Sequence, residues 1–336
     1  MPKIISLPTL KTLIAQIGLN HFIQGSIDSL RQTFNRWHDF NKSPRHVIHY
    51  PHGVIELMPI ADNEFYSVKY VNGHPFNVKD NKLTVVAIGL LAEVQSGYPL
   101  MLSEMTLLTA IRTAATSALA SGYLARKNSQ TLAIIGNGSQ AEFQVLAHHV
   151  LFDLQQVNYF DIDPNAMKKF ANNLRDQSFT LKACNNTQDC IKNADIIVTA
   201  TADKQRLQIL EKNWIQPGMH INGIGGDCAG KTELDPEILH HSKIVVEYLP
   251  QTKKEGEIQH LTQGDIYAEL WELVQNKKPG RDNETDITLF DSVGFAMEDF
   301  AILKYVYEQA NALGLGETVE LVPTAKDPKD LFGLLR

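Results

Sequence analysis

A run of apolar residues, Leu132 to Ile135, leads straight into Gly136-Asn137-Gly138-Ser139-Gln140-Ala141, and Glu142 to His149 then carries helical spacing. A strand, a glycine turn and a helix in that order make a seat for a pyrophosphate. Gly136 permits the tight turn, Gly138 lets backbone approach phosphate with no Cβ in the way, and Ala141 is small enough for the helix to close on the strand. The first turn of the helix adds amide donors and the positive end of its dipole. The next apolar run ends in Asp161, near the roughly 20 positions at which an acid takes a ribose 2′-hydroxyl. Its charge would repel a 2′-phosphate, so the pattern predicts NAD rather than NADP, with Asp163 as the alternative carboxylate.

Later strands of an open parallel sheet deliver residues to the same carboxyl edge. Thr199-Ala200-Thr201 ends one run, and His220 to Ile224 ends in Gly225-Gly226-Asp227-Cys228. Two glycines let backbone approach a flat ring with the carboxylate beside it, which makes Asp227 the leading acid/base candidate over a plain turn cap. Arg112 has Leu108, Thr109, Ala115 and Thr116 as helical neighbours, surroundings in which a guanidinium needs an anion. A substrate carboxylate fits its planar fork. Glu56 and Lys69 each stand in an apolar strand, where alternation makes a solvated face the plainer expectation for either alone. Arg45 sits in a loop. The spacing of His46, His49 and His52 does not place three rings on one face of an extended segment, so no metal is expected. Cys228 has no evident base beside it, and His148-His149 and His240-His241 read as ordinary helix residues.

The elements that must hold these residues fall into two textures. From Thr131 onward short apolar runs alternate with helix-length segments, which predicts right-handed crossovers and a doubly wound parallel sheet. Before it, Leu10 to Ile17 and Phe22 to Phe34 read as helices, whereas Gly53 to Ile60, Phe65 to Val71 and Leu83 to Leu91 read as strands. A long helix from near Met105 to Arg126, with Ser103 available as its cap, joins the two. After Glu298 the pattern is helical again, and this last helix is expected to pack back on the first part. The fold class is α/β: a Rossmann-type sheet plus an α+β N-terminal unit.

The 336 residues include 43% hydrophobic ones, enough for two cores, and a formal charge of -7 without a basic stripe argues against nucleic acid and anionic lipid. No apolar run is long enough to span a bilayer and no export signal stands at the start, so a cytoplasmic protein is expected. Cys184, Cys190 and Cys228 make no disulfide framework.

Taken together, these strings resemble the ornithine cyclodeaminase/μ-crystallin family, its bacterial ornithine cyclodeaminases in particular, over nearly the whole chain. The specific pieces are Lys69 to Pro75 (KYVNGHP), Arg112 to Thr116 (RTAAT), the Gly136 loop, Gly225 to Cys228 with Gly230 to Leu234, Glu255 to Gln259 (EGEIQ) and Phe290 to Ala296 (FDSVGFA). The resemblance implies conversion of L-ornithine to L-proline and ammonia with catalytic NAD+: hydride leaves Cα, the δ-amine closes the ring, and the hydride returns. It implies that Arg45, Lys69 and Arg112 hold the substrate carboxylate, that Val293 touches substrate, that Asp227 is the acid/base and that Glu56 partners a substrate amine. Thr84, Arg112, Gly136, Gly138, Ser139, Gln140, Asp161, Thr201, Ile224 to Asp227, Lys231 and Ser292 would contact NAD. It further implies a homodimer built through residues 1–112, a dinucleotide domain over 113–304, and residues 305–336 returning to the first part. Rival readings are an NAD-dependent amino-acid dehydrogenase or ketimine reductase of the same family, and a μ-crystallin-like binding protein.

Overall fold

The computed structural model describes residues 1–201, 206–226, 228–261 and 265–336. The chain opens with β1 (Lys3–Ile5), α1 (Leu7–Ile17) and α2 (Leu19–Asn35), whose apolar stripes bury Leu10 and Leu13, then Phe22, Ile23, Ile27, Leu30 and Phe34. Strands β2 (His46–Tyr50), β3 (Gly53–Ala61), β4 (Phe65–Gly73), β5 (Ala87–Glu93) and β6 (Pro99–Glu104) follow as an antiparallel meander. The expected strand over Leu83 to Leu91 begins only at Ala87. The segment before it stays alongside β4 through Asn72 N to Val86 O at 3.1 Å and His74 N to Thr84 O at 2.8 Å, but Val86 N bonds to Asn72 Oδ1 at 2.6 Å in place of the backbone carbonyl, which interrupts the ladder.

Helix α3 (Thr106–Leu124) carries the chain into the second sheet. Met105 is its N-cap position, and the side chain that covers the first amides is that of Glu104 and not Ser103: the Glu104 carboxylate accepts from the amides of Thr106 and Leu107, while Ser103 Oγ bonds to Glu104 O. Both residues belong to β6, but Glu104 is one position nearer the helix and has the longer side chain, so its carboxylate and not the Ser103 hydroxyl reaches the free amides.

The second half runs β7 (Thr131–Ile135), α4 (Ala141–Phe152), β8 (Gln156–Phe160), α5 (Pro164–Leu174), β9 (Thr180–Ala183), α6 (Thr187–Ile191), β10 (Ile196–Thr199), β11 (Arg206–Leu210), β12 (His220–Gly223), β13 (Thr232–Leu234), α7 (Pro236–His240), β14 (Lys243–Val246), α8 (Leu249–Thr252), β15 (Ala268–Glu269), α9 (Leu270–Val274) and β16 (Thr288–Asp291). Eight of these strands form one parallel sheet in the order β15-β14-β16-β12-β10-β7-β8-β9. The order reverses between β7 and β10, the point where doubly wound sheets open a crevice. Ile134, Val198 and Phe290 pack toward α3 and α4, whereas Ile135, Ile197 and Leu289 pack toward α6 and α7, so both faces are dry.

Helix α10 (Ala296–Ala312) then leaves β16 and packs on α2, α3 and the meander, and β17 (Glu317–Thr318) pairs with β1. Positions 112 and 304 lie inside continuous helices, α3 and α10, which serve both sheets.

His148, expected to be an ordinary helix residue, is fully buried where α4 meets α3 and β12. Its Nδ1 faces Gln144 O at 2.7 Å and therefore carries the proton, leaving Nε2 against Ser121 Oγ at 3.0 Å. His220 Nε2 meets the same hydroxyl at 3.0 Å, and Asn222 Nδ2 donates to it at 2.9 Å. Burial holds His148 down to about 4 and, with the charges of His148 and Arg281 adding to it, His220 down to about 3. An imidazole kept neutral in the native state contributes stability that is present above pH about 6.5 and lost as the unfolded chain takes up protons below it. Buried carboxyls titrate in the opposite sense, so the comparison that isolates His148 is between wild type and His148→Gln in urea unfolding at several pH values. We expect the stability advantage of wild type to shrink between pH 6.5 and 4.5 by about 1.4 kcal/mol per pH unit; a constant difference would mean that His148 titrates normally.

Candidate functional site

Strand alternation turns Glu56, Met58 and Ile60 of β3 and Ser67, Lys69 and Val71 of β4 inward, toward α10. Neither Glu56 nor Lys69 is on a solvated face: Glu56 is 8% exposed and Lys69 is sealed at 0%. What makes this tolerable is charge pairing. The start of α10 places two adjacent acids, Glu298 and Asp299, against the meander and α3. Lys69 Nζ bonds to Asp299 Oδ1 at 2.8 Å. Arg112 Nη1 bonds to Glu298 Oε2, and its Nε lies 3.0 Å from Asp299 Oδ1, a close ion pair in which the N–H does not point along the line to the oxygen. Arg112 Nη2 makes no hydrogen bond among the described residues.

Arg45 completes the group. Its Nη1 bonds to Glu56 Oε2 at 3.0 Å, its Nη2 to the carbonyls of Val293 and Gly294 at 2.6 Å each, and its Nε stands 3.5 Å from Glu255 Oε2. Gln251 bridges the same parts, accepting from Arg45 N at 3.1 Å and donating to Gly294 O at 2.6 Å. Three cations from a loop, a strand and a helix thus meet at the point where β16 passes into α10. Burial lowers Lys69 to about 8, with Arg112 adding to the shift and Asp299 opposing it. Burial, with Glu247 and Asp299 nearby, pushes Glu298 up to about 8 against the pull of Arg112. Sequence reasoning found the cations and missed these acids. The signal was there: two acids in the apolar run Phe295-Ala296-Met297-Glu298-Asp299-Phe300-Ala301 raise the same question as Arg112.

At the carboxyl edge, Gly136 has φ 92° and a Cβ there would lie 2.5 Å from Ala200 O, so β10 closes against the loop. A Cβ on Gly138 would meet nothing within 4 Å, and Gly138 and Ser139 are exposed. Gln140, at the start of α4, makes no capping bond, and of the first-turn amides Ala141 N turns to Gly138 O at 3.4 Å while those of Glu142 and Phe143 are left open. Asp161 accepts from Asn137 N at 2.6 Å and from Asp163 N at 2.8 Å, whereas Asp163 is spent capping α5 on Asn165 N at 2.9 Å. Asp161 is therefore the carboxylate that sits beside the glycine turn. An open cradle, free amides and an acid at the adjoining strand end fit a dinucleotide.

Thr201 bonds through N and Oγ1 to Glu233, and Lys231 Nζ donates to Thr201 O at 2.8 Å. Ile224 N bonds to Thr199 O at 3.1 Å, which sets Gly225 and Gly226 beyond the ends of β10 and β12. Ser292 Oγ donates to buried Glu247 at 2.6 Å, and the amides of Val293 and Gly294 point to the same carboxylate. Asp227 lies outside the described residues. Thr84 lies in the connector before β5, its carbonyl accepting from His74 N at 2.8 Å. Among the described residues no group of three or more His, Cys, Asp or Glu could hold a metal ion.

A sequence model described as the ornithine cyclodeaminase/mu-crystallin family matches residues 9–314. The chain belongs to that family. It is 48% identical to the ornithine cyclodeaminase of Agrobacterium fabrum (strain C58) over 331 residues, 98% of this chain and 94% of that one. The solved structure titled for recognition of L-lysine, L-ornithine and L-2,4-diamino butyric acid by lysine cyclodeaminase superposes with a TM-score of 0.93 at 27% identity, covering 99% of each chain. An archaeal alanine dehydrogenase dimer with bound NAD gives 0.88 at 31% identity, covering 96% of this chain and 99% of that one. The family fold is thus a Rossmann-type sheet joined to the antiparallel unit, with α10 as the shared strut.

The ion network carries a stability prediction. Asp299→Asn leaves Lys69 and Arg112 short of a buried counter-charge and is expected to cost about 3 kcal/mol in denaturant unfolding at pH 7. Lys69→Met added to Asp299→Asn should recover part of it, and a double variant no more stable than the single would refute the pairing.

Proposed function

We propose that this protein is an ornithine cyclodeaminase, which converts L-ornithine to L-proline and ammonia with NAD+ as a recycled cofactor, in ornithine catabolism and proline formation. The observation that carries the reading is the gathering of Arg45, Lys69 and Arg112 with surplus carboxylates beside a dinucleotide cradle, in a chain 48% identical to a curated ornithine cyclodeaminase. Ornithine is a carboxylate with two ammonium groups, and such a pocket offers charges of both signs to meet them.

NAD would lie with its pyrophosphate on Gly136, Gly138, Ser139 and Gln140, its ribose on Asp161, and its remaining contacts on Thr84, Arg112, Thr201, Ile224 to Asp227, Lys231 and Ser292. When bound it accepts a hydride from the substrate and gives it back, so the turnover is not a net oxidation. The protein's part is to orient and to move protons. Arg112 offers Nη2 to the α-carboxylate, with Lys69 and Arg45 adding charge, and Val293 borders the substrate. Arg45 and Glu56 are paired with each other; when a carboxylate takes Arg45, Glu56 is released to hold an ammonium, so one buried ion pair is exchanged for two and little charge is stranded. Holding the δ-amine near the α-carbon exploits proximity, for which effective molarities of about 10⁵ M are known. Asp227 takes and returns the protons that ring closure and ammonia departure require.

We assign the antiparallel sheet to substrate binding and dimerisation and the parallel sheet to NAD. Leu57, Tyr70 and Ile88 lie in one row across β3, β4 and β5 on the outward face, 44%, 40% and 54% exposed. Such an apolar row suits an isologous contact with a second copy. Three free thiols suit the cytoplasm, and no helix among the described residues is long and apolar enough to cross a membrane.

Two experiments follow. With L-ornithine and sub-stoichiometric NAD+, proline and ammonia should form in equal amounts beyond the NAD+ supplied, with no lasting NADH absorbance. Stoichiometric NADH without proline would point to an amino-acid dehydrogenase instead. In the same assay Asp227→Asn should bind NAD+ without turnover, and Arg112→Ala should chiefly raise KM, by roughly 100-fold for a charge-assisted anchor. In sedimentation, wild type should run as a dimer and Ile88→Lys as a monomer; a monomeric wild type would remove the dimer proposal.

A further inference from the structure

Gly225 and Gly226 are pressed against carboxylates. A Cβ on Gly225 would stand 2.0 Å from Glu233 Oε1, and one on Gly226 would stand 2.7 Å from Glu257 Oε1. Glycine is thus demanded here from inside the protein, by two acids that are 1% and 2% exposed, before any ligand is considered.

Those acids belong to a connected set. At the end of β16, Asp291 accepts from the amides of Glu257 and Ile258 at 3.0 Å each. Glu257 in turn accepts from Glu233 N at 2.8 Å and Leu234 N at 3.0 Å, and Glu233 accepts from Thr201 N at 2.9 Å. Beyond position 227 the neighbouring Gln259 does the corresponding work. Its Oε1 accepts from Gly230 N at 2.7 Å, and its Nε2 reaches the carbonyls of Gly256 at 2.7 Å, Lys231 at 2.9 Å and Cys228 at 3.3 Å.

We propose that Glu233, Glu257, Gln259 and Asp291 form a bracket that fixes the backbone on both sides of position 227, and that they are positioning residues for the acid/base there. The inference rests on the role proposed above for Asp227. Both oxygens of Asp291 and of Glu257 face N–H donors, so each acts as a carboxylate acceptor. Burial nevertheless pushes Glu257 up to about 7 and Asp291 well above the usual carboxylate range. Acids held this way are uncommon in a plain surface turn and common around reaction centres. The motif Glu255-Gly256-Glu257-Ile258-Gln259 thereby acquires a structural purpose, since Asp291 anchors it to the sheet and its side chains at 257 and 259 reach the loop from two sides.

The test uses Gln259→Met, which keeps length and removes the hydrogen bonds, with Glu257→Gln as a second variant should the first fold poorly. Amide hydrogen exchange over residues 228–234 should speed up in either. With ornithine, kcat should fall about 10- to 100-fold, the cost of a small misplacement of a reacting group, while KM and the Kd for NAD+ stay within about threefold. The solvent isotope effect on kcat in D2O should rise as proton transfer at position 227 becomes limiting. A merely structural role would lower NAD+ affinity, melting temperature and kcat together, with no change in isotope effect, and would overturn the proposal. So would faster exchange with kcat kept within twofold, or unchanged exchange. Should wild type make no proline, the functional reading falls by itself, and the exchange measurement still decides whether the bracket exists.

Discussion

Three cations and the carboxylates facing them occupy the seam between the two sheets, and most of the architecture can be read as the means of closing that seam. A buried guanidinium or ammonium is tolerated only with a partner in contact, and the partners come from elsewhere in the chain. Lys69 of β4 and Arg112 of α3 are met by Glu298 and Asp299 at the start of α10, and Arg45 is met by Glu56 and by the carbonyls of Val293 and Gly294. The chain from β16 into α10 therefore lies at the carboxyl edge of the parallel sheet and also supplies counter-charge to the antiparallel one. Folding of either unit without the other would strand charge.

The same passage joins the carboxyl edge of the parallel sheet to the buried cations. Asp291 ends the strand beside β12, Ser292 and the next two amides grip Glu247, and four residues later the helix reaches Arg112. A few residues of backbone thus separate the strand end that anchors Glu257 and Ile258 from the acids that meet Arg112 and Lys69. Rigid elements give such a site more precision than loops would.

Relatives that share this fold differ in chemistry, since an alanine dehydrogenase and a lysine cyclodeaminase both superpose on it over nearly their whole length. Fold therefore sets the location of chemistry, and the side chains that line the seam set what is done there. Glu56 and Glu255 both stand against Arg45, so this part of the seam carries more carboxylate than that one cation requires.

Local patterns in the sequence were enough for the glycine turn with Asp161, the alternation of strands and helices that makes a doubly wound sheet, and the demand of Arg112 for an anion, because each depends on neighbours within a few positions. Resemblance supplied Arg45 and Lys69 as site residues, where alternation alone favoured a solvated face for Lys69. The partners were not legible, since Glu298 lies 186 positions from Arg112 and Asp299 lies 230 from Lys69, and no periodicity encodes a contact of that span. For the same reason His148 read as a plain helix residue until β12 brought His220 and Asn222 to Ser121, and capping of α3 passed from Ser103 to Glu104 because the longer side chain one residue nearer the helix reaches its first amides. The two glycines at 225 and 226 show the division most clearly. Their type announced a close approach, and only the tertiary structure decided that the first bodies to approach are the protein's own carboxylates.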